Sequence, residues 1–196
     1  MAYDQFYQII VDQILLIYPD LKFTVALNDN EVDISFKEED NYTVFKDKKI
    51  EGIQFLVQQD KRDEIVKRLQ KELGSEYIVY FSEQNFGHSP DKITILQTSD
   101  KYDALRFEGC NGVNYDIYVE DIIANLQELE SVNAFVLIGV GFDFVQGEFK
   151  TPPTNVEDMA NQMYEFCPDI VEQGTGDVDT LIKEIKNSNT FYYWWD

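Results

Sequence analysis

Apolar positions along this chain recur first at helical spacing and then at strand spacing. Phe6, Ile10, Ile14 and Ile17 share one face of a helix, which predicts an amphipathic segment over 3–18 closed by Pro19-Asp20. Alternation follows: Phe23, Val25 and Leu27, then Val32, Ile34 and Phe36, separated by Asn28-Asp29-Asn30. That pattern predicts a β-hairpin, with turn residues that tolerate positive φ. A third strand is expected over 42–46, turning at Asp47-Lys48-Lys49 into a fourth over 51–57 that alternates through Ile53, Phe55 and Val57.

From there the pattern switches between the two periods. Ile65, Val66, Leu69 and Leu73 predict a helix over 60–73, with Asp60 as its N-cap and Gly74 just past its end. Strands over 77–81 and 92–97 flank a loop containing Gly87-His88-Ser89-Pro90, and a connection runs through 104–107. Ile122, Ile123, Leu126 and Leu129 predict a helix near 119–130, and the nearly unbroken apolar run 134–140 reads as a central strand. The succession β-α-β-β-α-β predicts an α+β fold with a ferredoxin-like (split βαβ) core and a largely antiparallel sheet.

The remainder reads as a C-terminal α-α-β extension. A strand over 143–149 stops at Pro152-Pro153, and Thr154-x-x-Glu157 predicts a capping box opening a helix with Ala160, Met163 and Tyr164. A second helix over 177–187 carries Val178, Leu181, Ile182 and Ile185 on one face. The chain closes on a strand over 190–195 made of Phe191, Tyr192, Tyr193, Trp194 and Trp195. Terminal residues are usually polar and loosely held, so five consecutive aromatics imply a docked end. The expected organisation is an N-terminal helix and hairpin over 1–50 and an α+β domain over 51–196.

Charge narrows the functional classes. Thirty-seven acids against 16 bases give a formal net charge of −21, of which residues 101–196 carry −13 (18 acids, 5 bases). Such a surface repels phosphate backbones, so direct nucleic-acid binding is not expected, and a basic protein is the partner that would complement it. No apolar run spans a bilayer and no basic signal-like start is present, so a cytoplasmic location with no membrane role is the expectation. Two cysteines far apart, Cys110 and Cys167, predict reduced buried thiols rather than a disulfide framework.

Few motifs carry chemistry. His88 is the one histidine, and without a Gly-x-Ser-x-Gly turn it reads as a bystander in a polar loop. Three Cys and His residues in all are too few for a soft-metal centre, and Asp29-x-Glu31-x-Asp33 lacks the glycine and distal Glu of a calcium loop. No metal and no cofactor is expected. Gly139-x-Gly141 lacks the third glycine of a dinucleotide fingerprint. Gly174-Thr175-Gly176 lies among Glu172, Asp177 and Asp179, so it reads as a helix entry capped by Asp177 or Thr175 rather than an anion cradle. The run 166–174 differs in quality: Cys167-Pro168 ends a helix, and polar Asp169, Glu172 and Gln173 alternate with apolar neighbours.

Tyr164-x-Phe166-Cys167-Pro168-Asp169-Ile170-Val171-x-Gln173-Gly174-x-Gly176, preceded by Pro152-Pro153 and followed by a terminal Trp194-Trp195-Asp196, resembles a bacterial family catalogued as domain of unknown function 4253. Pro90-Asp91, Asp100-x-Tyr102-Asp103, Asn111-Gly112-x-Asn114-Tyr115 and Asp143 extend the resemblance to about residues 76–196. It implies a soluble bacterial protein whose activity is unassigned. It also gathers Cys167, Asp169, Gln173, Trp194, Trp195 and Asp196, with Asn114 and Tyr115, into one candidate site.

Two functions are compatible with these residues. The first is a non-catalytic protein-binding module, for example an immunity or inhibitor protein for a basic toxin. The second is a small-molecule-binding protein or hydrolase using the carboxylates of Asp169 and Asp196 beside the wall of Trp195.

Overall fold

A computed structural model of the chain describes residues 12, 14–18, 26–38 and 41–196. The expectations at Phe6, Ile10, Phe23 and Val25 lie outside the described residues; residues 14–17 are helical, and Ile14 is fully buried. Two strands follow, β1 (Ala26–Glu38) and β2 (Asn41–Val57). Both run straight through the segments read as turns, Asn28-Asp29-Asn30 and Asp47-Lys48-Lys49. Neither triplet contains Gly or Pro, so nothing forces the backbone out of the extended region.

The chain divides into two compact units, 1–30 with 49–100, and 31–48 with 101–196. In the first, the end of β2 is followed by α1 (Gln59–Glu72), β3 (Tyr77–Glu83) and β4 (Asp91–Gln97). β4 lies between the other two, antiparallel to both, with Ile53 opposite Ile95 and Val79 opposite the same residue. Helix α1 buries Ile65, Val66 and Leu69, the stripe its periodicity marks. Its N-cap is Gln58, with Asp60 inside the first turn, and Gly74 beyond its end takes φ +82°. A buried ion pair ties helix to sheet: Arg62 Nη1 lies 3.1 Å from Asp91 Oδ2, and the guanidinium rests 3.9 Å above the Phe81 ring. His88 is exposed in the 84–90 loop.

The second unit holds the candidate site. Its elements are α2 (Asp103–Glu108), a 3-10 turn (Val113–Tyr115), α3 (Val119–Val132), β5 (Phe135–Val140), β6 (Phe144–Phe149), α4 (Val156–Phe166), a π-helical turn (Ile170–Thr175), α5 (Val178–Ser188) and β7 (Thr190–Trp194). β6 pairs antiparallel with β5 on one side and β7 on the other, placing Val145 opposite Val140 and Tyr193. Helix α2 stands where a plain connection was expected; six residues are too few for a helical period to register. Thr154 does not cap α4. That helix starts one residue later from Asn155, and the Thr154 N–H donates instead to Asn133 Oδ1 at 3.1 Å. Asp177 does cap α5, its Oδ1 accepting from Thr180 N at 2.7 Å.

The chain is thus a mixed α+β protein in which β2–β4, β3–β4, β5–β6 and β6–β7 all pair antiparallel. The β-α-β-β-α-β succession is present in order, but its first three strands lie in one unit while α3 and the last strand, β5, lie in the other. Among the described residues no helix is long and apolar enough to cross a membrane.

Candidate functional site

The aromatic end is docked, and its alternation explains how. Phe191, Tyr193 and Trp195 are each buried, while Tyr192 and Trp194 are half-buried between them, as a period of two requires. The ladder continues one bond past β7, because Trp195 N donates to Asp143 O at 2.9 Å. Tyr193 and Trp195 stack with ring centroids 5.8 Å apart, and Phe166 at the end of α4 meets both edge-on at 5.6 and 6.0 Å. Gly112 presses on the indole: a Cβ there would lie 2.6 Å from Trp195 Cδ1. Glycine is therefore required at this position by close approach rather than by backbone angle.

Asp169 is the hub. It precedes the π-helical turn and is only 2% exposed. Its Oδ1 accepts from the Tyr115 hydroxyl at 2.6 Å and from Gln173 Nε2 at 2.9 Å, while Oδ2 accepts from the main-chain N–H of Asp196 at 3.0 Å. Burial pushes the Asp169 carboxyl upward, but the bonds from Tyr115, the Asp196 backbone and Gln173 outweigh it and hold the group below its ordinary value. The same Tyr115–Asp169 bond, with burial, raises the Tyr115 phenol to about 12. Asn114 Nδ2 donates to the Asp196 carbonyl at 2.5 Å, and Cys167 Sγ donates to the Trp194 carbonyl at 3.0 Å.

Of the residues singled out from the sequence, Asn114, Cys167 and Asp169 bond directly to Trp194 or Asp196, while Tyr115 and Gln173 reach them through Asp169. The arrangement is a latch: Asn114, Cys167 and Asp169 hold Trp194 and Asp196 by hydrogen bonds that span 27 to 82 residues of sequence. Its chemistry is more restricted than the sequence allowed. Asp169 meets the main chain of Asp196, and both of its oxygens already accept hydrogen bonds. Burial raises the Cys167 thiol to about 12 and pushes Cys110 up as well, so neither supplies a thiolate at neutral pH. Both cysteines are free and buried. Among the described residues no three His, Cys, Asp or Glu side chains group to hold a metal.

Beside the latch lies a cavity of about 180 Å³, bounded by Asn111, Gly112, Asn114, Asp143, Trp195 and Asp196. Val113 and Phe142 also line it, and they are 56% and 64% exposed. Sequence reading missed both: a lone Val in a polar loop and a Phe between Gly141 and Asp143 carry no periodic signal. The buried Trp195 Nε1–H has no hydrogen-bond partner.

A mixed α+β protein with a latched aromatic terminus is the class these features define. The chain belongs to the family described as Domain of unknown function (DUF4253), whose model matches residues 92–196. The match begins after Pro90-Asp91 rather than near residue 76, and it takes in the whole latch. Among curated proteins and among solved structures nothing matches the chain.

Proposed function

We propose that this protein is a non-catalytic binding module for a basic protein partner, with an inhibitor or immunity protein as one concrete form. The observation that carries this reading is uncompensated charge in residues 101–196, which hold 18 acids and 5 bases. Three of those bases are engaged inside the unit: Lys101 with Glu130, Arg106 with Asp103 and Glu120, and Lys186 with Glu157. Most of the carboxylates left over are exposed, where a basic surface would be attracted and steered by them. The alternative, a hydrolase using the carboxylates of Asp169 and Asp196, has weaker support, because Asp169 already accepts three hydrogen bonds, one of them from the main chain of Asp196.

Affinity capture from the native host, with the bound proteins identified by mass spectrometry, tests the reading. The expected result is a basic protein retained at low ionic strength and released as salt screens the contact. Capture of no basic protein at low salt would overturn it.

A further inference from the structure

A groove of about 340 Å³ runs between α3 and α4, apart from the residues of the latch. Leu129, Met159, Met163 and Phe166 make its apolar lining, with Tyr193 behind them, its hydroxyl donating to Asn125 Oδ1 at 2.8 Å. Glu128 from α3 and Glu165 from α4 stand beside this lining, and both are exposed. On the same helices Glu120 pairs with Arg106, Glu130 with Lys101 and Glu157 with Lys186, while Asp121 and Asp158 accept from Tyr118 N and Asn155 Nδ2 at the helix starts. Glu128 and Glu165 have no ion pair among the described residues.

We propose that this groove receives a lysine or arginine side chain presented by the basic partner, an inference that rests on the function proposed above. The chemistry of the groove selects that occupant. A long cationic side chain has an apolar stem and a charged head, and such residues bury the stem while keeping the head at a polar rim. Two methionines supply a lining that adapts to the stem, since the unbranched thioether fills irregular gaps. The two carboxylates then meet the head. A purely apolar segment would instead desolvate both glutamates without a counter-charge, and an anionic one would be repelled.

The test is titration of the full chain with a fluorescein-labelled amphipathic peptide of leucine and lysine, followed by anisotropy at low ionic strength. Glu128→Gln with Glu165→Gln should weaken binding about tenfold or more, equivalent to about 1.4 kcal/mol. Asp179→Asn with Glu184→Gln removes the same charge from exposed positions on α5 and should weaken it less than about threefold, the scale of an exposed pair. All four positions are exposed, and thermal melts confirm that each variant is folded. Equal weakening by the two double variants would overturn the groove while leaving the basic-partner reading intact. Failure of the wild-type chain to bind the peptide at all would overturn both. Spermidine competing as strongly as the peptide would also overturn the proposal, by showing a site for small free cations instead of a protein side chain.

Discussion

Replacing Asp169 tests whether the latch is structural. In Asp169→Ala the Asp196 N–H loses its acceptor, while Tyr115 and Gln173 are exposed enough to turn to water. A hydrogen bond to a charged acceptor contributes roughly 1.5–3 kcal/mol. Adding the space left by a carboxylate that is 2% exposed brings the expected loss to about 2–4 kcal/mol. At roughly 2–4 °C per kcal/mol for a chain of this size, the melting temperature should fall by about 5–15 °C. Asp169→Asn should cost less than half of that. Its amide oxygen can accept from Asp196 N while its NH2 donates to the Tyr115 oxygen and a flipped Gln173. The pH dependence supplies a second arm. The folded carboxyl lies below its ordinary value, so its stabilisation is complete above the unfolded pKa of about 3.9 and is lost as pH falls through the folded one. The gap between wild type and Asp169→Ala should hold from neutral pH to about 4 and then narrow toward the part owed to lost packing, which does not titrate. Melting curves followed by circular dichroism across that range decide it. An Asp169→Ala protein that melts with wild type at neutral pH, or a gap unchanged at pH 3, would refute the reasoning.

Two further outcomes follow from packing and charge. Gly112→Ala drives a methyl to 2.6 Å from the Trp195 ring and should destabilise the second unit by about 1–3 kcal/mol, measurable by denaturant titration. Arg62→Ala leaves Asp91, which is 0% exposed, without its cation and should cost about 3–5 kcal/mol. Replacing Arg62 and Asp91 together by apolar residues should cost much less, which a double-mutant cycle measures.

The elements legible in the sequence were those long enough to show a period. Ile65, Val66 and Leu69 on α1, and Ile122, Ile123 and Leu126 on α3, are buried as their spacing indicates. Turn chemistry read less well, because Asn28-Asp29-Asn30 and Asp47-Lys48-Lys49 permit a turn without demanding one. Capping at Thr154 failed by a single residue, since Ser, Thr, Asn and Asp all suit a helix entry and 154 and 155 are both of that kind. At the latch, residue identity was readable and the wiring was not. Asp169 lies 54 residues from Tyr115 and 27 from Asp196, and no local spacing reveals that the carboxylate accepts from a main-chain N–H rather than facing a second carboxylate. The groove between α3 and α4 was invisible for the same reason. Glu128 and Glu165 are 37 residues apart, and nothing in their local sequence joins them until α3 and α4 are placed side by side.

The chain's two tryptophans are Trp194 and Trp195, adjacent to one another in the second unit. Indole emission is consequently a reporter for that unit alone, while backbone ellipticity integrates over both. Trp195 is sealed at 3% exposure against Tyr193 and Phe166, so opening of the latch would shift its emission to the red before the helices are lost. Comparing the two signals during unfolding therefore resolves, without any introduced label, whether the units melt as one cooperative body or in sequence.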